Sequence, residues 1–314
     1  MAFFIGEKMS TPQINKKKKD MGATVFLISV LTLPIIAFLF FYVYINFNSI
    51  LMAFQVPLYD GRGGYKWGLD NFAKVLKQFT NTEENLLVYL RNTFLFFVQD
   101  TFINLPLSLI ICYFIYKKIA CHKLLRVVIY LPIIITSTIF ATLFKGMIEA
   151  GGPLRAIADK FGFSVPGSYV FNEQHALKTV LFYSIYANLG ARFILFGGAM
   201  NAIDPNVIDA GKIDGVGPWR ELVSIIMPII WPTLGTMVLL ASAGVFTASG
   251  PSLLFDKGEY GSMTISYWIY DITAGSGSSG ESHELASAIG LIFTILGLPI
   301  VFIVKKLTGI TEDK

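Results

Sequence analysis

The amino-acid sequence predicts an all-α integral membrane protein with six transmembrane helices. Three observations lead there. Hydrophobic residues make up 54% of the 314 positions and charged residues only 15%, against roughly a quarter charged in soluble domains. A soluble chain of this length would still need polar residues to cover its surface. The apolar residues are also gathered into runs close to the ~20 residues of helix that cross ~30 Å of hydrocarbon. Finally, Lys and Arg are spread unevenly over the segments between the runs, the asymmetry that orients a chain in a bilayer.

The first run, Thr24–Tyr44, follows the four lysines at 16–19. It is longer than the roughly 7–15 apolar residues of a cleaved signal and no A-x-A site follows, so a retained anchor is expected. Five more runs cover about Asn92–Tyr116, Leu125–Ile148, Ala176–Met200, Ser224–Thr247 and Leu285–Val304. Prolines recur in or beside them (Pro34, Pro106, Pro132, Pro228, Pro232, Pro299), as membrane helices tolerate. With the N-terminus inside, the cytoplasmic segments gather most of the Lys and Arg, among them Lys117, Lys118, Lys123, Arg126, Lys212, Arg220, Lys305 and Lys306. Both termini are therefore expected in the cytoplasm. The net charge of +4 follows from this bias and gives no support to a nucleic-acid partner. Cys112 falls within the second run and Cys121 in a cytoplasmic loop, so both read as incidental thiols.

Several chemistries are excluded or left without support. Gly275–Gly280 matches G-x-G-x-x-G literally, but it is a Ser/Gly-rich stretch without the strand and helix that a dinucleotide fingerprint needs. There is no G-x-x-x-x-G-K-[ST], so any ATP hydrolysis belongs to another chain. His122, His175 and His283 lie apart, without metal-site spacing. No catalytic residue, metal site or cofactor of the chain's own is expected.

The loop between the fourth and fifth runs carries the most information. From Asn201 to Leu222 it reads as two short helices joined by a turn. Asp204 is a good N-cap with Pro205 at the first helical position. Gly215 suits a left-handed C-terminal residue, and Pro218 opens the second helix. Val207, Ile208 and Gly211 form a small apolar contact face. Ordinary caps on an ordered loop are the alternative.

An acidic-Ala-small triplet, Asp-Gly three residues on, an aromatic and then a Pro-x-x-x-Pro pattern resemble the EAA loop of binding-protein-dependent ABC importer permeases. The likeness is to the branch containing maltose, glycerol-phosphate and multiple-sugar permeases. It rests on Ile203, Pro205, Asp209, Ala210, Gly211, Asp214, Gly215, Trp219, Pro228 and Pro232. Gly68–Phe72, Asn92-Thr93, Leu131-Pro132 and Ala286–Ala288 extend it along the chain. Two departures stand out. Asp209 and Gly211 replace the family's usual Glu and second Ala, and Lys257-Gly258-Glu259 stands where a Gly-Gly-Pro is common.

The resemblance implies a division of the chain. Residues 1–23 form a basic cytoplasmic tail, 24–88 the first transmembrane helix and an outer segment, 89–305 the permease core, and 306–314 a second cytoplasmic tail. It implies that the loop is a cytoplasmic coupling helix-turn-helix docked on an ATPase, with Pro205, Ile208, Asp209, Ala210, Gly211, Asp214, Gly215, Trp219 and Pro228 as its coupling residues. It also implies a second homologous permease, two cytoplasmic ATPase subunits holding ATP and Mg, an extracellular binding protein, and a sugar or oligosaccharide as solute. The setting is a bacterial cell membrane.

Within the fourth run, Tyr186, Gly190, Phe193 and Gly197 share one helical stripe. By the same likeness Tyr186, Leu189, Gly190 and Phe193 are expected to line the sugar path, with Ser242, Gly244, Phe246 and Thr247 of the fifth. Helix packing is the competing role, because membrane helices also meet through small residues and aromatics. Arg192 and Asn188 lie on roughly the opposite face. An intramembrane charge should face protein or water, and the preferred reading of Arg192 is a pair across the interface with the second subunit. Asp100 with Asn104 in the second run poses the same question. A permease for another solute, and a six-span channel without ATPases, are the alternatives in function.

Overall fold

A computed structural model describes residues 21–58, 64–79, 86–163, 167–247, 251–274 and 282–309. The lysines at 16–19 and the Ser/Gly stretch at 275–280 lie outside the described residues. The chain divides into two units, Met1–Leu51 and Met52–Lys314.

The first unit consists of most of helix α1 (Val25–Ala53). Its apolar side chains are exposed from Val25 to Ile50, as in a helix whose natural solvent is lipid. Its polar side chains are satisfied within the helix: Ser29, Thr32, Asn46 and Ser49 each donate to the carbonyl four residues earlier. The helix continues past the predicted end at Tyr44.

The second unit opens on an antiparallel ribbon, β1 (Gln55–Pro57) paired with β2 (Tyr65–Trp67), with Val56 opposite Lys66. Helix α2 (Asp70–Gln78) follows. Buried Asn71 donates to the carbonyls of Ala53 (3.1 Å) and Gln55 (2.8 Å), clipping α2 to the ribbon. Lys66 pairs with Asp70 at 2.8 Å and holds its carboxyl below the usual range.

Next come α3 (Leu86–Tyr116), α4 (His122–Ile134), α5 (Ser137–Ile148), α6 (Pro153–Lys160) and α7 (Ala176–Asn201). They are followed by α8 (Pro205–Ile213), α9 (Pro218–Ile229), α10 (Trp231–Ala243), α11 (Ser252–Phe255), α12 (Ile265–Ala274) and α13 (His283–Thr308). Asn92 of α3 donates to the carbonyls of Gly261 and Met263, both at 2.8 Å, and Thr93 Oγ1 accepts from the Ile265 N–H. The Asn-Thr pair thus fastens α3 to the turn before α12.

Among the described residues, four helices are long and apolar enough to cross a membrane without a break: α1, α3, α7 and α13. The third and fifth predicted spans are not continuous. The chain bends by 112° between α4 and α5 and by 77° between α9 and α10, so the count reaches six only if each bent pair is one crossing. The first bend falls at Ile135 and Thr136, both extended, at the end of the β-branched run Ile133–Thr136. The second falls at Ile230, where the Pro232 ring opposes the Pro228 carbonyl and lacks an N–H to continue the ladder. Prolines mark two π-helical turns as well. Asp100–Asn104 and Leu222–Ile226 lie just before Pro106 and Pro228, and the Leu105 and Met227 N–H groups reach back five residues.

Among the described residues the core has three parts. One joins α3, α7, α9 and α10 around Cys112, Phe196, Met200, Leu222 and Ile226. A second gathers Val75, Ile265, Ala288 and Phe293 from α2, α12 and α13. A third packs Phe140, Tyr183 and Phe255 between α5, α7 and α11.

Candidate functional site

Two places combine polar chemistry with an accessible surface: the α8–α9 hairpin and a cleft between α3, α7 and α10.

Asp204 caps α8 by accepting from the Asn206 N–H at 2.9 Å, and Pro205 occupies the first helical position. At the other end Gly215 has φ +72°. The Val216 N–H reaches the Gly211 carbonyl and the Gly215 N–H that of Lys212, the paired bonds of a Schellman stop. Space around Gly215 is open, so its left-handed backbone is what calls for glycine. Ile208 and Gly211 face inward. A Cβ on Gly211 would lie 2.8 Å from Ile225 Cδ1, so the close approach this glycine permits is within its own hairpin, and of the expected contact face Val207, Ile208 and Gly211 only Val207 is exposed. The outward face carries Pro205, Val207, Asp209, Ala210, Asp214 and Gly215, with Pro228 also exposed. Ile213 is 86% exposed and Trp219 63%. Asp209 accepts from Lys212 at 2.7 Å and raises the pKa of that ammonium.

The hairpin is fastened to α3 by groups that sequence reasoning did not single out. Lys117 bonds both carboxylate oxygens of Glu221 at 2.9 Å, with the Glu221 side chain 4% exposed. The Tyr113 hydroxyl donates to the Pro218 carbonyl at 2.8 Å. A lysine just past a span and an acid within the loop were the available signals, but nothing in the sequence pairs them.

The cleft is built where the π turn of α3 faces α7. A cavity of about 500 Å³ is lined by Gln99, Asp100, Asn104, Tyr183, Asn188 and Thr247, among others. An adjoining one of about 380 Å³ shares Asp100, Asn188 and Thr247 and adds Arg192 and Gly244. Arg192 and Asp100 form an ion pair, with side chains 16% and 27% exposed. Arg192 is therefore paired within its own chain, not across a subunit interface. Gln99 is locked by bonds to the Leu181 carbonyl and Ser184 Oγ. Arg192 Nη1 and Asn104 Oδ1 are buried without a hydrogen-bond partner among the described residues.

The residues expected to line a sugar path divide sharply. Tyr186, Leu189, Gly190 and Phe193 are committed to helix packing. The Tyr186 hydroxyl donates to the Val128 carbonyl at 2.6 Å, and Phe193 meets Tyr130 edge-on at 5.3 Å. A Cβ on Gly190 would lie 2.7 Å from the Ile129 carbonyl oxygen, so α4 and α7 touch there backbone to backbone. Small and aromatic residues have closed that face. Ser242 is buried on the Leu239 carbonyl, and Phe246 packs on Phe293 of α13 at 5.0 Å. Gly244 and Thr247 do line the cleft.

No family model matches the chain. Among curated relatives, the lactose transport system permease protein LacF of Rhizobium radiobacter is 23% identical over 238 residues, covering 71% of this chain and 76% of that one. The sn-glycerol-3-phosphate transport system permease protein UgpA of Yersinia pseudotuberculosis is 22% identical over 238 residues, covering 74% and 78%. The fold is similar to that of a bacterial ABC transporter involved in import of the acidic polysaccharide alginate, with TM-score 0.76 and 19% identity over 94% of this chain and 99% of that one. A bacterial alginate ABC transporter in complex with an alginate pentasaccharide-bound periplasmic protein gives TM-score 0.74 and 18% identity, over 91% and 95%. The resemblance read from the loop is thus matched by relatives that are sugar ABC transporter permeases and by the fold of an importer permease. These relatives are transport subunits, not enzymes, and the chain is a multi-pass membrane protein.

Proposed function

We propose that the chain is the permease subunit of an ATP-driven, binding-protein-dependent carbohydrate importer, and that it forms half of the translocation path. Each bent helix pair then counts as one crossing, and both termini lie on the hairpin side in the cytoplasm. The α8–α9 hairpin docks a cytoplasmic ATPase. A second homologous permease completes the path, two ATPases hold ATP and Mg, and an extracellular binding protein delivers the solute. The curated permease relatives and the alginate transporter solved with its periplasmic protein support this assembly.

The observation that carries the proposal is the mechanical link between hairpin and cleft. The hairpin ends firmly capped, presents Ile213 and Trp219 outward, and is bonded to Tyr113 and Lys117 at one end of α3. Asp100 lies on the same helix, roughly 20 Å away at ~1.5 Å per residue. Closure of two ATPases would move the hairpin and carry α3 with it, tilting the polar wall of the cleft between inward and outward access.

The cleft's chemistry suits a neutral polyhydroxylated solute. Asp100 accepts, Arg192 and Asn188 donate, and the ion pair leaves little net charge. Tyr183, Phe96 and Phe140 supply flat apolar walls for the C–H face of a sugar ring.

The test is to purify the tagged chain from its native membrane and measure solute-stimulated ATP hydrolysis. An ATPase should co-elute. Gly215→Val puts a β-branched residue at φ +72° and should abolish stimulation with the complex still assembled. Unchanged stimulation, or purification with no ATPase, would contradict the proposal and favour a facilitator.

A further inference from the structure

One further cavity belongs to neither place above. It holds about 750 Å³ between α5, α6 and the first turns of α7. Because α8 follows the last turn of α7, this cavity lies at the opposite end of a helix roughly 39 Å long from the hairpin. With α7 crossing the bilayer as proposed, this is the boundary of the membrane opposite the hairpin.

Its walls are apolar, with Phe144, Ile148, Ile157 and Phe182 prominent. Among the described residues that line it, three are basic, Arg155, His175 and Lys178, and none is a carboxylate. Arg155 is engaged: it donates to the Gly167 carbonyl, pairs with Asp159 and lies over the Tyr169 ring. The His175 ring meets Tyr169 edge-on. Lys178 is different. It is exposed, one turn before Phe182, and makes no hydrogen bond or ion pair among the described residues.

We propose that this cavity is a binding site for an anionic phospholipid, with one acyl chain against Phe144, Ile148 and Phe182 and the phosphate on Lys178. A hydrocarbon chain matches walls that offer almost no hydrogen bonds, and with Asp159 already paired to Arg155 the charge of Lys178 is left to select negative charge at the level where headgroups lie. Helix α6 supplies one wall of the site. Its Leu154 and Ile157 point into the cavity, and its Arg155 is held back by Asp159 and Gly167.

The experiment uses the full chain, purified with its accompanying subunits and exchanged into phosphatidylglycerol or phosphatidylcholine. Lipid retained on each particle is counted by native mass spectrometry. Retention of phosphatidylglycerol should exceed that of phosphatidylcholine by roughly fivefold, the ratio one lysine near an anionic headgroup supplies. Lys178→Glu should erase this preference and Lys178→Arg restore it. Ala158→Trp, which fills the cavity, should lower retention of both lipids. Inorganic phosphate should not compete, since the acyl chain is part of the recognition. Equal retention of the two lipids by the unmodified protein would overturn the proposal. So would a preference untouched by Lys178→Glu in a variant that elutes as a monodisperse complex.

Discussion

Two faces of helix α7 carry nearly the same density of informative residues and do opposite things. The Tyr186–Phe193 stripe is closed against α4, its glycine touching backbone and its hydroxyl spent on a carbonyl. The face with Asn188 and Arg192 opens on a cavity, and Arg192 Nη1 is buried there without a hydrogen-bond partner among the described residues. Aromatics beside glycines describe a place where two helices can approach. Polar groups that a bilayer would not tolerate unless something met them describe a place that protein or water must reach, and it is there that the solute path is proposed.

The contrast can be broken from either side. The largest effect is expected at the ion pair. Arg192→Met leaves the Asp100 carboxylate without its partner and should destabilise the purified protein by about 2–3 kcal/mol. That is less than the 3–5 kcal/mol of a fully buried pair, because both groups keep some solvent. The double variant with Asp100→Asn should recover much of that loss in a thermal-unfolding series. If the single and double variants melt together, the pair is not coupled as described. On the closed face, Gly190→Leu must push α4 away from a backbone oxygen. It should lower stability by about 1–3 kcal/mol, and a neutral result would mean that the α4–α7 contact is loose. At the hairpin, Glu221→Gln keeps the shape and removes the charge facing Lys117. A loss of about 1–2 kcal/mol is expected, together with weaker coupling of ATP hydrolysis to solute. Lost stability with intact coupling would separate the fastening from the mechanism.

Much of this architecture was legible in the residues. The predicted run Ala176–Met200 became a helix from Ala176 to Asn201, and the Asp204-Pro205 start and Gly215 stop follow directly from capping chemistry. The bends were not legible. Ile133–Thr136 is as apolar as its surroundings, and β-branched residues weaken a helix only slightly, so hydropathy runs straight through the break. The cleft was half legible: Asp100 and Arg192 each announced an intramembrane charge, but 92 positions separate them, and only the packing of α3 on α7 makes them partners. The packing of Tyr186, Leu189, Gly190 and Phe193, which the sequence reading placed on a sugar path, was not legible for a related reason. The residue types that stack on a sugar ring are the ones that let two helices close, and a single helix carries no mark of which neighbour it faces.

Thiol accessibility tests the central contrast most directly. In a background with Cys112 and Cys121 replaced, single cysteines at Asn188, Thr247, Tyr186 and Phe193 would be reacted with a small charged thiol reagent in sealed membranes, with and without ATP. Labelling at positions 188 and 247 that changes with ATP, and none at 186 and 193, is the predicted result. Labelling at 186 and 193 with protection at 188 and 247 would move the path to the face described here as closed.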